Sequence, residues 1–426
     1  MRADRPDWWP MNTPDQRDRP IRRRPRDRRA TILTAATQAF SRDGYHGTSM
    51  ADIASAVDIS PTALYRHFRN KQLLLGECLL SGMDATVARL DAAATTDRSG
   101  ESVLRELVAM ALELRGLPRL WQLEFRNLTA DHRQAVLMRA ARLTGYLRRA
   151  VRVKRPELAP ADVEIMSWCA LSVAVSPSYH HVDLASGEFS AILGAAIERM
   201  LTAELTPGKL TPSKAGPLRP GDTLPMAQGD DFERAVRAQR LVAAGARLFN
   251  TRGYAAVGIE DIGAAVGVRG PALYHHFASK ADLLNEIIER NEQWISLYTD
   301  RALSEGRTAR QSARLLLGYF VEFALAQPDL VGTTVSEVGH LPEAHAARYR
   351  RTHREGVLGW ARLLAAADPA LSSVQARVLV QALGIVVIDA VRNPRLRRRE
   401  DLAGVLNALC TRLILGEVNT RMVIDQ

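Results

Sequence analysis

The side chains best suited to specific chemistry in this 426-residue chain are small, hydrogen-bonding and basic groups that follow a tight turn. In the first half of the chain they are Ser60, Pro61, Thr62, Ala63 and Arg66. Short polar side chains at the beginning of a helix can contact base edges in the major groove, and basic groups beside them can contact phosphate. This pattern predicts the recognition of double-stranded DNA.

The same stretch recurs 209 residues later, with different residues at the positions that would decide specificity. The corresponding positions hold Arg269, Gly270, Pro271, Ala272 and His275. Arg269 can reach a guanine or a phosphate, and Gly270 would allow the backbone to approach DNA closely. The two stretches are therefore predicted to read different half-sites with different strength.

Two short helices joined by a tight turn must position each of these stretches. The apolar residues of the first copy, spaced so that they can share one core, are Ile53, Val57, Leu64 and Phe68. Residues 261–277 repeat the pattern of residues 52–68 without a gap. Ser60 followed by Pro61 predicts a helix start, because the hydroxyl oxygen accepts a backbone N–H and proline is tolerated in the first turn.

A longer helix precedes each pair and is predicted to brace it. In the first half this helix runs from about 28 to 42 and ends at Gly44, a residue suited to a left-handed cap. Thr48 or Ser49 can then cap the next helix. The chain is thus predicted to carry a duplicated helix-turn-helix.

These repeats resemble the DNA-binding head of TetR-family transcriptional regulators. The motifs that carry the resemblance in both copies are Phe-x3-Gly-Tyr, Asp-Ile-x-x-x-Val and Ala-Leu-Tyr-x-His-Phe-x-x-Lys, within residues 30–75 and 239–284. The resemblance implies one head followed by a ligand-binding helical body in each half. It also implies a likeness to the two-repeat regulators of actinobacteria, some of which repress mce-type lipid-import operons.

The resemblance further implies which side chains hold the DNA backbone. They are Thr48, Tyr65, His67 and Lys71 in the first head, with Tyr274, His276 and Lys280 as their counterparts in the second. The alternative for Tyr65 and His67 is packing within the head. Val257 replaces Thr48 in the second head, so one phosphate contact is expected to be missing there.

The ends and the joint of the two halves are rich in charge, proline and glycine. The predicted divisions are a disordered basic arm at 1–27, a head at 28–75, a body at 76–205, a linker at 206–230, a head at 231–284 and a body at 285–426. The chain has a net charge of +10, and half of this excess lies before residue 30. Arg22, Arg23 and Arg24 are predicted to enter a minor groove, the alternative being a plain tail that adds only salt-dependent affinity.

The predicted fold class is all-α, with two tandem halves. The last two helices of each half, near 160–203 and 371–415, carry more apolar surface than one body needs. Ordinary members of the family pair two chains through these helices, so the two halves are predicted to pair within one chain as a monomeric pseudo-dimer.

Aromatic residues in the bodies are candidates for a ligand pocket. They are Trp121, Phe125 and Trp168 in the first half and Trp294, Tyr319 and Phe323 in the second. Aromatic residues at helical spacing are more often part of a core, which is the alternative for each of them. The predicted effector is a small apolar or amphipathic molecule.

Several function classes find no support in the sequence. Catalytic motifs are absent, no cofactor or metal site is indicated, and the three cysteines are too widely spaced for a disulfide framework. No leader or membrane-spanning run is recognised, so a cytoplasmic protein without a membrane partner is predicted.

The function that these patterns favour is a ligand-responsive repressor that acts on genes of lipid or sterol uptake or metabolism. It is expected to bind an asymmetric operator through two non-identical heads. The alternatives are a DNA-binding factor that responds to no ligand, and a ligand-binding or sequestering protein that has lost its affinity for DNA.

Overall fold

The structure is a computed structural model that describes residues 28–205, 230–268 and 274–416. Within these ranges the secondary structure is α-helical with short 3-10 turns and contains no strand. The helices of the first half are α1 (Arg28–Gly47), α2 (Met50–Ala56), α3 (Pro61–His67), α4 (Lys71–Thr96), α5 (Glu101–Glu113), α6 (Gly116–Glu124), α7 (Ala130–Lys154), α8 (Pro160–Val175) and α9 (Ser186–Leu201). Those of the second half are α10 (Asp230–Arg252), α11 (Ile259–Val266), α12 (Lys280–Glu305), α13 (Ala309–Ala326), α14 (Pro328–Glu337), α15 (Glu343–Ala367), α16 (Ser373–Arg392) and α17 (Leu402–Leu415). The all-α prediction is confirmed.

Local capping explains where the helices of the first head begin. Ser49 caps α2 in a reciprocal capping box with Asp52, and Ser60 caps α3 by accepting the backbone N–H of Ala63. These side chains satisfy backbone donors that a helix leaves unpaired in its first turn. Gly44, with φ +72°, interrupts α1 as the sequence predicts, although helical turns continue to Gly47.

The two halves repeat one plan. The helices that connect head to body, α4 and α12, are each 26 residues long, and α7 and α15 are each 25 residues long. Both α4 and α12 begin at a lysine, within the segment predicted to belong to the head. The predicted boundary between head and body therefore falls inside one continuous helix.

The halves pack together through the helices predicted for this role. α8 and α9 lie against α16 and α17, and buried residues of both halves, such as Leu193 and Leu409, belong to one continuous apolar core. Arg399 pairs with Asp162 at 2.8 Å across this interface. α16 is the described helix that is long and apolar enough to cross a membrane, and two thirds of its most apolar stretch is buried inside the protein.

The first head differs from the second in how its core is joined to the rest. Its buried residues, including Ile32, Phe40 and Ile53, form a cluster of their own. The corresponding residues of the second head, including Phe249 and Ile262, are continuous with the main core. The predicted arm with Arg22, Arg23 and Arg24, and nearly all of the predicted linker, lie outside the described residues.

Candidate DNA-binding surface and ligand cavity

The outward face of α3 presents the side chains predicted to contact DNA. Leu64 is buried and Phe68, at the C-cap of the helix, is buried beside it, so the rest of the helix faces solvent. The exposed residues of this face are Ser60, Pro61, Thr62, Tyr65, Arg66 and His67, and Ala63 is half-buried among them. Tyr65 is 49% exposed. This exposure argues against the alternative that Tyr65 packs within the head.

The second head shows the same exposure where it is described. Tyr274 is 51% exposed and donates a weak hydrogen bond to Glu260, and His275 is exposed beside it while His276 is half-buried. Arg269, Gly270, Pro271 and Ala272 lie outside the described residues. The predicted difference in specificity between the heads therefore stays a prediction.

The prediction that Thr48 contacts the DNA backbone is wrong. Its side chain is only 2% exposed, and its hydroxyl donates to the carbonyl oxygens of Gly44, at 2.8 Å, and Ala39, at 3.2 Å. A hydroxyl held in this way cannot reach a phosphate, and Ser49 rather than Thr48 caps α2. The second head has Val257 here with 1% exposure, which fits an interior position better than a lost phosphate contact.

The two lysines at the beginning of α4 and α12 make internal contacts that the sequence reasoning did not foresee. Lys71 Nζ donates to the carbonyl oxygen of Thr48 at 2.8 Å and lies over the ring of Tyr45. Lys280 Nζ donates to the carbonyl oxygens of Tyr254 and Val257 and lies over the Tyr254 ring. Partial burial lowers the pKa of both lysines. Each lysine ties the connecting helix to the loop between the first two helices of its head.

A buried glutamate joins each head to its body. Glu124, at the end of α6, accepts the backbone N–H of Tyr45 at 3.0 Å. Glu337, at the end of α14, accepts the backbone N–H of Tyr254 at 3.1 Å. The preceding glycines, Gly44 and Gly253, both have positive φ. We call each of these contacts between a glutamate and the Gly-Tyr turn of the head a joint, and the two joints share one backbone geometry.

The two joints also contact each other across the halves. Arg126 pairs with the fully buried Glu337 at 2.8 Å. A Cβ at Gly253 would lie 2.4 Å from the guanidinium carbon of Arg126, so glycine is required for this approach as well as for its φ of +87°. The ring of His340 stacks on Tyr254. A small cluster of described residues, including one ion pair, thus connects the two joints.

A cavity of about 870 Å³ lies inside the first body and opens to solvent. Helices α4 to α8 form most of its walls, and two of the predicted ligand contacts, Trp121 and Trp168, line it. The residues from 389 to 398 of the second half complete the wall. This volume lies within the range of about 300 to 1,000 Å³ that is usual for small-molecule sites.

The other predicted pocket residues lie elsewhere. Phe125 packs against the core of the first head. Trp294, Tyr319 and Phe323 belong with Tyr298 to a group of stacked rings, in which neighbouring centroids lie 5.4 to 6.2 Å apart. Tyr319 and Phe323 are almost fully buried, so the core alternative is correct for this group.

A polar group from the second half reaches the cavity and was missed by the sequence reasoning. Asp389 accepts hydrogen bonds from Gln122 at 3.0 Å and from Ser172 at 2.9 Å. Burial raises the pKa of this carboxyl group. Asp389 is the one acidic residue of α16 and lies in an apolar stretch of it, and that isolation was the signal in the sequence.

Comparison with known proteins agrees with the duplicated heads. The profile of the family described as "Bacterial regulatory proteins, tetR family" matches residues 32–78 and again residues 241–287. The chain is 27% identical over 166 residues to the HTH-type transcriptional activator FasR of Mycolicibacterium smegmatis, a match that covers 39% of this chain and 75% of that protein. It is 39% identical over 61 residues to the HTH-type transcriptional regulator UidR of Escherichia coli, covering 14% of this chain and 31% of the relative.

One solved structure illustrates the extent of the structural likeness. A bacterial regulatory protein in the tetR family from Rhodococcus RHA1 aligns with a TM-score of 0.36 and 25% sequence identity. The alignment covers 40% of this chain and 95% of that protein.

Proposed function

We propose that this chain, which belongs to the tetR family of bacterial regulatory proteins and carries the family's N-terminal domain twice, is a ligand-responsive repressor of transcription. The observation that carries the proposal is the exposed face of α3, where Thr62, Tyr65 and Arg66 stand free of the head's own core. The protein would act in the cytoplasm. Its target genes, as the resemblance to two-repeat regulators suggests, would serve lipid or sterol uptake or metabolism.

The operator is proposed to be asymmetric. The two heads differ in sequence at the positions that would contact bases. Ser60 and Thr62 of the first copy correspond to Arg269 and Pro271 of the second. One chain would then bind two dissimilar half-sites about one helical turn apart, roughly 34 to 36 Å.

The DNA-binding unit is proposed to be a single chain. The interface between α8, α9, α16 and α17 is occupied within the chain, and it includes the Asp162–Arg399 ion pair. A second copy would have to displace this pairing within the chain. Tethering strongly favours the pairing within the chain over pairing between chains. Light scattering on the free protein should give the mass of one chain, and a stable two-chain species would contradict this part of the proposal.

Helix α6 is proposed to carry the ligand signal. Its residues Leu117, Trp121 and Gln122 line the cavity, while Glu124 at its end accepts the N–H of Tyr45 in the first head. A ligand that displaces α6 would shift this joint and change the separation of the two heads. The shift lowers operator affinity if the ligand binds the displaced state more tightly.

Footprinting and gel-shift titration on DNA upstream of the gene would test the DNA-binding role. Arg66→Gln is expected to weaken binding to that site by about tenfold or more, because charged contacts to DNA contribute about 1 to 3 kcal/mol. Arg98→Gln is the matched control, since this exposed arginine follows α4 and lies about 39 Å along that 26-residue helix from the head. Failure of the wild-type protein to bind any upstream site would overturn the proposed function.

A further inference from the structure

We infer that the cavity of the first body binds one amphipathic anion per chain, with its acidic head group held by arginines of the second half. The inference rests on the proposed function in one respect, namely that the cavity is the effector site. It adds the chemical class of the effector, the number of sites and the half of the chain that recognises the charge.

The inner walls of the cavity are apolar. They include Leu107, Met110, Leu114, Leu117 and Leu143 from helices α5 to α7, with the rings of Trp121 and Trp168. Such a surface gains free energy by covering the hydrocarbon part of a ligand, about 25 cal/mol for each Å² removed from water. The apolar walls alone would accept many hydrophobic molecules.

The rim from the second half supplies positive charge. Arg392, Arg395 and Arg398 come from the end of α16 and the turn after it, and all three line the cavity. Arg148 adds a fourth cation from α7, while Glu164 is the lining carboxylate that is not engaged across the interface. The lining is therefore positive, which favours an anion.

The second lining carboxylate is already engaged by the protein. Asp389 accepts from Gln122 and Ser172, so it has two donors of its own from the first half. Burial favours its neutral form by raising its pKa. It therefore opposes an anionic ligand less than an exposed aspartate would.

One buried donor on the cavity wall points to an incoming acceptor. Within the described residues, Arg392 Nη1 is buried and makes no hydrogen bond. A buried donor without a partner is destabilising, and an acidic oxygen from a ligand is the strongest acceptor for a guanidinium. A neutral hydrocarbon would leave Arg392 Nη1 unpaired, and a cation would face three or four arginines.

The second body places a large aromatic side chain at the equivalent position. Ala111 lines the cavity on α5, and Tyr319 on α13 lies the same number of residues after its N-cap. Tyr319 is 4% exposed within the stacked aromatic group and occupies the space that Ala111 leaves open. This replacement is the reason to expect one site in each chain rather than two.

Three probes with one hydrocarbon chain separate the head-group chemistry. Dodecanoate, dodecyl phosphate and dodecanol would be titrated into the full-length protein by calorimetry, with native mass spectrometry to count bound molecules. At least one of the two anions should bind one per chain and about tenfold or more tighter than dodecanol, since charged hydrogen bonds add at least that much. The preferred anion tells a carboxylate effector from a phosphate-bearing one.

Neighbouring arginines provide matched variants. Arg398→Gln is expected to weaken binding of the preferred anion by about three- to tenfold and to leave dodecanol unchanged. Arg397→Gln is the control, because Arg397 is exposed in the same turn but does not line the cavity. Arg392→Gln should have a larger effect than Arg398→Gln because the Arg392 group is more deeply buried. Ala111→Tyr should abolish binding of all three probes.

Several outcomes would overturn the inference. These are equal affinity for dodecanol and both anions, two molecules bound per chain, equal effects of Arg397→Gln and Arg398→Gln, or no binding of any probe. A parallel gel shift without added probe tests the proposed function separately. Loss of DNA binding there would sink the regulatory role, whereas normal DNA binding with no charge preference would sink only the inference about the anion.

Discussion

The two halves of this protein are most alike where head meets body and least alike inside the bodies. In both joints a glycine with positive φ precedes a tyrosine whose N–H is bound by a glutamate, and a lysine lies over the tyrosine ring. Inside the bodies, the first half borders an open cavity of about 870 Å³, while a group of stacked aromatic rings lies in the second.

On the proposed function, this contrast indicates how a duplicated regulator can divide its work. The joint must present each head at a defined angle, so both copies need the same hydrogen bonds. A ligand cavity is needed only once if the two bodies are packed on each other, because a shift in one half is transmitted through the shared core. The filled body can then serve as a rigid support and as part of the cavity wall.

The joints themselves differ in the residues that follow each glutamate. Where the first half has Arg126, two residues after its glutamate, the second has Gly339. Where the first has Asn127, which donates to Glu124, the second has His340, which stacks on Tyr254. The ion pair between the two joints therefore has no symmetric counterpart among the described residues: Arg126 of the first joint pairs with Glu337 of the second.

The largest expected effect compares an aromatic residue of the filled body with one that borders the cavity. Tyr319→Ala should lower the free energy of unfolding by about 3 to 5 kcal/mol, because it opens a void in a tightly packed core. Trp121→Ala should lower it by about 1 kcal/mol, since one side of Trp121 already faces the cavity. Urea denaturation followed by circular dichroism measures both. Equal losses would show that the two bodies are packed alike.

The second prediction concerns the glutamates of the two joints. Glu337→Gln should destabilise the protein by about 2 to 3 kcal/mol, because the amide keeps an acceptor for Tyr254 N–H but leaves Arg126 without its buried counter-charge. Glu124→Gln should have a smaller effect of about 1 kcal/mol, because its hydrogen-bond donors among the described residues, Tyr45 N–H and the Asn127 amide, are both neutral. A thermal melt of the two variants side by side decides it, and a larger loss for Glu124→Gln would contradict the cross-joint role of Arg126.

The third prediction treats the two lysines as equivalent. Lys71→Met and Lys280→Met should each destabilise the protein by about 1 kcal/mol and weaken binding to all DNA sequences, because each loses a hydrogen bond that places its head. The salt dependence of DNA affinity should keep its slope if the lysines are purely positional. A slope reduced by about one unit in either variant would instead support the phosphate contact that the resemblance implies.

The smallest expected effect is a pH dependence found in the second joint alone. Partial burial lowers the pKa of His340, whose side chain is 39% exposed, and outweighs the attraction of Glu337 and Glu124, while Arg126 and His46 lower it further. Because the folded pKa lies below the unfolded one, the neutral ring stabilises the fold above about pH 6.5, and this contribution declines as the pH falls.

Replacing His340 by the residue of the first joint provides the control for that effect. His340→Asn should flatten the dependence of thermal stability on pH between 7 and 5, relative to the wild-type protein. An identical decline in both proteins would assign the pH dependence to other histidines, such as the buried His180, whose pKa burial lowers to about 4.

The sequence by itself determined the helices, their caps and the duplication. Ser49, Ser60 and Gly44 act within four residues of their own position, so spacing along the chain is enough to identify them. The exposed face of α3 follows in the same way, because Leu64 and Phe68 must point to the head's core. The pairing of α8 and α9 with α16 and α17 was also predictable, from the excess of apolar residues on those helices.

Only the tertiary structure decided which side chains border empty space and which fill it. Thr48, Phe125 and Trp294 have residue types that suit DNA or ligand contacts, yet packing turns each of them toward a core. The cavity wall brings Gln122 together with Asp389, which is 267 residues away in the chain. No local sequence pattern predicts the arginines of its positive rim. Local hydrogen bonds act within one helical turn, whereas a cavity is the space left when distant helices meet, so it depends on the whole arrangement of both halves.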